Sequence, residues 1–156
     1  MRTIKFRGKN LKGKWLYGSL FTGIAPNDKK LYYVILTDEK CDAEGHLPKD
    51  IALGFHADEV HIVTSDSIGQ FTGLTDKNCK EICEGDILVW GEDGCKSQPL
   101  VVMFKHGSFG YTYIEDWFHS FAGNTNFTFN PLNTDVRFEI IGNIHDNIEL
   151  LTKKVI

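Results

Sequence analysis

Four cysteines and six histidines are the side chains best suited to chemistry in this 156-residue sequence. Cys79 and Cys83 stand four apart, Cys95 follows, and Cys41 or His46 would complete a tetrahedral zinc set. Structural zinc normally uses two close Cys/His pairs, and only one is present. If extended, residues 79 and 83 lie roughly 13 Å apart by strand rise, so only a turn would let both reach one ion. Cysteines of this kind more often pack as small apolar residues. No metal and no cofactor is expected. A nucleophilic thiolate or alkoxide needs a base held beside it. His46, His56, His61, His106, His119 and His145 have no readable pairing with a cysteine or serine, and G-x-S-x-G does not occur. Glu81, Glu84 and Asp86 mimic an acid pair but read more simply as a charged turn. Neither G-x-G-x-x-G nor the P-loop pattern is present. No catalytic residue is assigned, and the chain is not expected to be an enzyme.

Charge points to binding, and weakly. The net charge is −4, unevenly spread. Arg2, Lys5, Arg7, Lys9, Lys12 and Lys14 fall in the first fourteen residues, with no acid among them. Arg2, Lys5, Arg7 and Lys9 are the candidate nucleic-acid contacts, with Trp15, Tyr17, Tyr111 and Tyr113 as stacking partners. Residues 67–156, however, carry seven basic and twelve acidic side chains, the wrong sign for a phosphate funnel. A nucleic-acid partner is possible but not favoured. Self-association is favoured, with a phage or host protein as a further possible partner. Phe127 and Phe129 flank Thr128 and point one way if extended, so they are the candidate oligomer contacts. Met1 is followed at once by charge, and no apolar run approaches the roughly 18 residues of a spanning helix. A cytoplasmic protein with reduced thiols and no membrane contact is expected.

The elements that must position these residues are strands. Ile4 and Phe6 alternate with Lys5, Arg7 and Lys9, which predicts a half-buried strand with a solvated basic face. Asn10-Leu11-Lys12-Gly13 supplies a turn, and Lys14 to Phe21 returns with Trp15 and Tyr17 on one face and Leu16 and Leu20 on the other. Leu31–Leu36 and Val60–Val63 read as further strands. Residues 68–89 are dense in turn signals and carry no helical period. Strands follow at Ile87–Trp90, Leu100–Phe104 and Phe109–Tyr113, the last two joined by a His106-Gly107 turn. Ile114–Phe121 reads as a short helical turn, residues 122–135 as a loop with a strand at Phe127–Phe129, Val136–Ile141 as a closing strand, and Asn147–Leu151 as a second helical turn. Short strands at this spacing predict a small closed barrel, because closure removes edges.

Three stretches carry a family resemblance. They are Arg2-Thr3-Ile4-Lys5-Phe6-Arg7-Gly8 with Trp15-Leu16-Tyr17-Gly18-Ser19; Ile68-Gly69-Gln70-Phe71-Thr72-Gly73-Leu74-Thr75-Asp76-Lys77 with Glu81-Ile82-Cys83-Glu84-Gly85-Asp86-Ile87; and Phe138-Glu139-Ile140-Ile141-Gly142-Asn143-Ile144 with Glu149-Leu150-Leu151. Together they resemble the YopX family of phage and prophage proteins. The resemblance implies an intracellular, mostly β protein of mobile elements that self-associates and has no assigned activity. It implies an N-terminal β region, placed at residues 1–66, and a small SH3-like barrel, placed at 67–156, packed as one unit. Two positions depart from the family pattern. The usual Asp-Lys-Asn-Gly turn ends here in Cys79, and the aromatic before Glu-Gly-Asp is Cys83. Without that glycine, Asn78 is expected to take the left-handed conformation. Read from the residues alone, Phe71 is a core anchor and Glu84-Gly85-Asp86 a tight turn entering a strand, so this segment is chiefly structural.

Overall fold

The computed structural model describes residues 3–24, 30–37, 60–91, 97–121, 128–133 and 137–152. Alternation near the N-terminus produces an antiparallel hairpin. β1 (Phe6–Lys9) and β2 (Trp15–Ile24) pair with Gly8 opposite Leu16 and Arg7 opposite Tyr17. Asn10 builds the turn: its Oδ1 accepts the amides of Lys12 and Lys14 at 3.0 and 2.9 Å. β3 (Leu31–Leu36) and β4 (Val60–Val63) extend the order to β4-β3-β2-β1. β2 changes partners along its length. Trp15–Gly18 meets β1, whereas Ser19–Ile24 meets β3. The corner is Gly18, where the Leu36 carbonyl lies against the position a Cβ would fill. At the far side β4 swings back to β1. Asn10 and Val63 form a bridge, and the Thr64 amide donates to the Lys9 carbonyl at 2.9 Å. Leu16, Ile35 and Val63 are buried inside this curl, with Leu20, Tyr33 and Ile68 packed on them.

After a single 3-10 turn at Ser65–Ser67, β5 (Gly69–Thr75) runs as one strand and pairs with β1 through Gln70 opposite Phe6 and Gly69 opposite Arg7. The chain separates into two compact units, Met1–Phe71 and Thr72–Ile156, and the division falls within β5. Two glycines and the surrounding turn residues hide this strand in the sequence. Gly73 explains how they coexist with it, since its φ of 90° admits a local irregularity that other residues resist.

The second unit continues with β6 (Glu81–Cys83) beside β5, then β7 (Asp86–Trp90), β8 (Leu100–Lys105), β9 (Ser108–Tyr113), α1 (Ile114–Phe121), β10 (Asn130–Pro131), β11 (Phe138–Asn143) and α2 (Ile148–Thr152). Its five-stranded sheet has the order β10-β9-β8-β7-β11. His106 and Gly107, with φ of 52° and 79°, form the two-residue turn that suits the twist of β8 and β9. The central strands are buried on both faces, which is why they read as continuous apolar runs. Leu88, Leu100 and Val102 pack with Ile82 and Phe138 on one side. Ile87 and Val101 pack with Ile114, Leu151 and Trp117 on the other, so both helices contribute to a core. The protein is therefore mostly β in two antiparallel sheets with few helices. Among the described residues no strand pairing joins β10 to β11, so the expected barrel closure is not seen in that sheet. The expected strand at 127–129 is displaced: pairing begins at Asn130, and Phe127 lies outside the described residues.

Thr112 on β9 is an exception within the core. It is fully buried opposite Val101, and its hydroxyl has no hydrogen-bond partner among the described residues. Thr112→Val exchanges that hydroxyl for a methyl of the same shape. The variant is expected to gain about 1 kcal/mol in urea unfolding.

Candidate functional site

The basic residues of β1 share a face with the aromatic residues of β2, as strand alternation requires. Lys9 stands opposite Trp15 and Arg7 opposite Tyr17. The cations lean onto the rings. The Arg7 guanidinium lies 4.8 Å from the Trp15 ring centre, Lys9 Nζ 5.2 Å from the same ring, and Lys5 Nζ 5.5 Å from Tyr17. Contacts of this type are worth about 0.5–1 kcal/mol when exposed and about 2 when desolvated. The solvated face expected from the sequence needs correction in two places. Arg7 is only 5% exposed, because ring stacking and the neighbouring strands cover it. Ile4, expected inside, precedes the strand and is 67% exposed. Arg2 lies outside the described residues. The face offers cations and ring edges, with Tyr17 the most open ring.

Phe129 is half-buried, its ring set against Gly110 and edge-on to His106 at 6.0 Å. This oligomer candidate thus has contacts within its own chain.

The signature segment spends its polar atoms on its own backbone. The Asp76 carboxylate accepts the amides of Asn78 at 2.8 Å, Lys80 at 2.9 Å and Ile140 at 3.2 Å. The Lys77 amide donates to the Phe138 carbonyl, and its ammonium pairs with Glu139 at 3.0 Å. The 76–80 turn is thereby bound along β11. Burial raises the Asp76 pKa, but the amides of Lys80, Ile140 and Asn78 and the Asn78 side chain outweigh it, and the carboxyl sits below the ordinary aspartate value. Asp86 is buried and accepts the Cys83 amide at 2.8 Å, while Gly85 between them has a φ of 83°. Thr72 donates to the Ile82 carbonyl at 2.9 Å. Thr72 and Ile82 are buried, whereas Phe71 is only half-buried and is not the anchor expected. The Asp-x-Asn spacing signals an Asx-type turn, but nothing local in the sequence signals the bond to Ile140, 64 residues away.

Cys79 is exposed and Cys83 buried; Cys41 and Cys95 lie outside the described residues. No group of three or more His, Cys, Asp or Glu side chains suited to a metal ion occurs among the described residues. No helix among them is long and apolar enough to cross a membrane.

A family model described as YopX protein matches residues 5–152. The chain belongs to the YopX family. The crystal structure of protein EF1440 from Enterococcus faecalis is similar to this YopX chain, with a TM-score of 0.50 at 23% identity over 97% of this chain and 99% of that one. That likeness is one of fold. No curated protein matches the chain.

Within the YopX signature, the left-handed residue is Cys79, with φ of 64°, and not Asn78. The bonds from Asp76 Oδ1 to Asn78 and Lys80 set the register, so the strain falls on the position where the family pattern has glycine. Cys79→Gly is expected to stabilise the chain by about 0.5–1 kcal/mol in urea unfolding, and Cys79→Ala to change it little.

Proposed function

We propose that this YopX chain is a non-catalytic protein of a phage or prophage that self-associates in the host cytoplasm and works through protein contacts. The observation that carries the reading is the set of exposed large apolar side chains on the first unit: Ile4, Leu11, Tyr17, Ile24 and Leu31. Polar use of the signature segment supports the non-catalytic part, since Asp76, Asp86 and Thr72 bond to backbone. An SH3-like barrel in the second unit is part of the same reading. Its support is the cross-linking of Gly85 to both Val102 and Ile144 by backbone bonds of 2.9 Å. Light scattering of the purified chain at physiological salt is expected to give the mass of more than one chain. A single-chain mass at micromolar concentration would overturn the proposal.

The shared face of Lys5, Arg7, Lys9, Trp15 and Tyr17 favours nucleic-acid binding as a second reading. It ranks lower because Arg7 is buried. Titrating a single-stranded oligonucleotide at low salt is expected to show no binding. Binding that weakens steeply with added salt, and that falls off in a Lys5→Ala, Lys9→Ala variant, would promote it.

A further inference from the structure

A strand offers the backbone groups of alternate residues to whatever lies on each side of it. β11 has β7 on one side. Phe138 and Ile140, two residues apart, turn their backbone groups to the same side. There the Phe138 carbonyl accepts the Lys77 amide at 2.8 Å, and the Ile140 amide donates to Asp76 Oδ2 at 3.2 Å. A backbone amide and a side-chain carboxylate thus stand where a neighbouring strand would put an N–H and a C=O. The other oxygen, Oδ1, accepts the amides of Asn78 and Lys80 and so shapes the turn that is docked. One charge serves both the shape of the turn and its attachment.

That attachment is polar. Thr75, Lys77, Asn78, Cys79 and Lys80 are exposed, and Asp76 among them is buried. A third tie to β11 is the ion pair of Lys77 Nζ with Glu139 at 3.0 Å. Of these three ties, the bond to Ile140 and the ion pair need an ionised carboxylate. The framework beside the turn is held by other means. The Thr72 hydroxyl donates to the Ile82 carbonyl, Ile82 packs with Leu88, Leu100, Val102 and Phe138, and Gly85 is bonded to Val102 and Ile144. None of those contacts titrates. A segment with few buried apolar contacts opens at a lower free energy than the core it lies on.

We propose that the 76–80 turn is an acid-released latch: when Asp76 loses its charge, the turn lifts from β11 while the core of the second unit stays packed. The device does not depend on the self-association reading. Burial raises the Asp76 pKa, and the amides of Lys80, Ile140 and Asn78 with the Asn78 side chain outweigh it, so the folded value lies below the ordinary one. The latch is therefore shut at neutral pH and opens as pH falls through that lower value. The other charged and titratable groups around Asp76 are Lys77, Cys79 and Lys80 on the turn, Glu81 on β6, Arg137 and Glu139 at β11, and Tyr111 and Tyr113 of β9, which pack on the same core. Only the two glutamates change charge in the acid range, and protonating Glu139 breaks the Lys77 pair, which acts in the same direction.

Amide hydrogen exchange, read by NMR on the isotope-labelled full chain and corrected for the intrinsic pH dependence of exchange, tests the latch. As pH falls from 7 to 2, the Asn78, Lys80 and Ile140 amides are expected to lose about tenfold in protection, the step from a charge-assisted bond to a neutral one. They should do so at a higher pH than the Leu88 and Val101 amides of the buried strands. Asp76→Asn is expected to show the low protection already at pH 7, with no further step, whereas Glu139→Gln keeps the step. Loss of protection at all five amides together overturns the latch, because the unit then melts as a whole. Three latch amides that outlast Leu88 and Val101 overturn it too. The wild-type titration decides the matter even where Asp76→Asn fails to fold.

Discussion

Gly18→Ala is expected to unfold the first unit at a urea concentration the wild type withstands easily. A Cβ at residue 18 would enter the Leu36 carbonyl, with the carbonyl carbon 2.8 Å away and the Ile35 Cγ2 at 3.2 Å. The obstacle is backbone, so no rotamer change relieves it. β2 must move away from β3 at the corner where it hands over from β1, and Leu16, Ile35 and Val63 pack around that corner. Overpacking a core usually costs 1–3 kcal/mol; with an immovable carbonyl we expect at least about 3 kcal/mol. Gly23→Ala on the same strand is the control. It meets nothing within 4 Å, and the change is expected to stay within about 0.5 kcal/mol of wild type. Urea titrations of the two variants, followed by circular dichroism, check the contrast. Equal stabilities would show that the corner is not tight.

Asp76→Ala is expected to be nearly as damaging, for an electrostatic reason. It strips the acceptors from the amides of Asn78, Lys80 and Ile140 in a place where Asp76 itself is 6% exposed. Charge-assisted bonds to backbone and the cost of leaving their donors unmet together amount to about 2–4 kcal/mol. The same carboxylate makes stability depend on pH. Its folded pKa lies below that of the unfolded chain, so its contribution is complete above the unfolded value of about 4 and is lost as pH falls through the lower folded value. Asp76→Asn removes this titration. Wild type should therefore lose more stability than Asp76→Asn between pH 7 and pH 3, measured by urea unfolding at each pH. Parallel losses would remove Asp76 as the source.

The strands that alternate were legible in the sequence, as were the buried runs of β7 and β8. Periodicity reports which face a side chain takes, and it placed Lys5, Arg7 and Lys9 together with fair accuracy. It does not report whether that face is covered, so the burial of Arg7 under Trp15 was invisible. β5 was missed because Gly69 and Gly73 are turn residues by composition, and only pairing with β1 and β6 makes the segment extended. The left-handed site was displaced by one residue for a related reason. The Asp76 carboxylate sets that register through bonds two and four residues on, whereas glycine substitution alone drew attention to Asn78. The contact between Asp76 and Ile140 is a tertiary fact with no local trace.

The division of the chain inside β5 has a hereditary consequence. Any recombination that traded one unit for a foreign one would have to splice a strand in mid-course. On one side of the junction the Phe71 amide binds the Lys5 carbonyl, and on the other the Thr72 hydroxyl binds the Ile82 carbonyl. A new half would need to match both hydrogen-bonding frames at once. The family match covers residues 5–152 and so takes in both units.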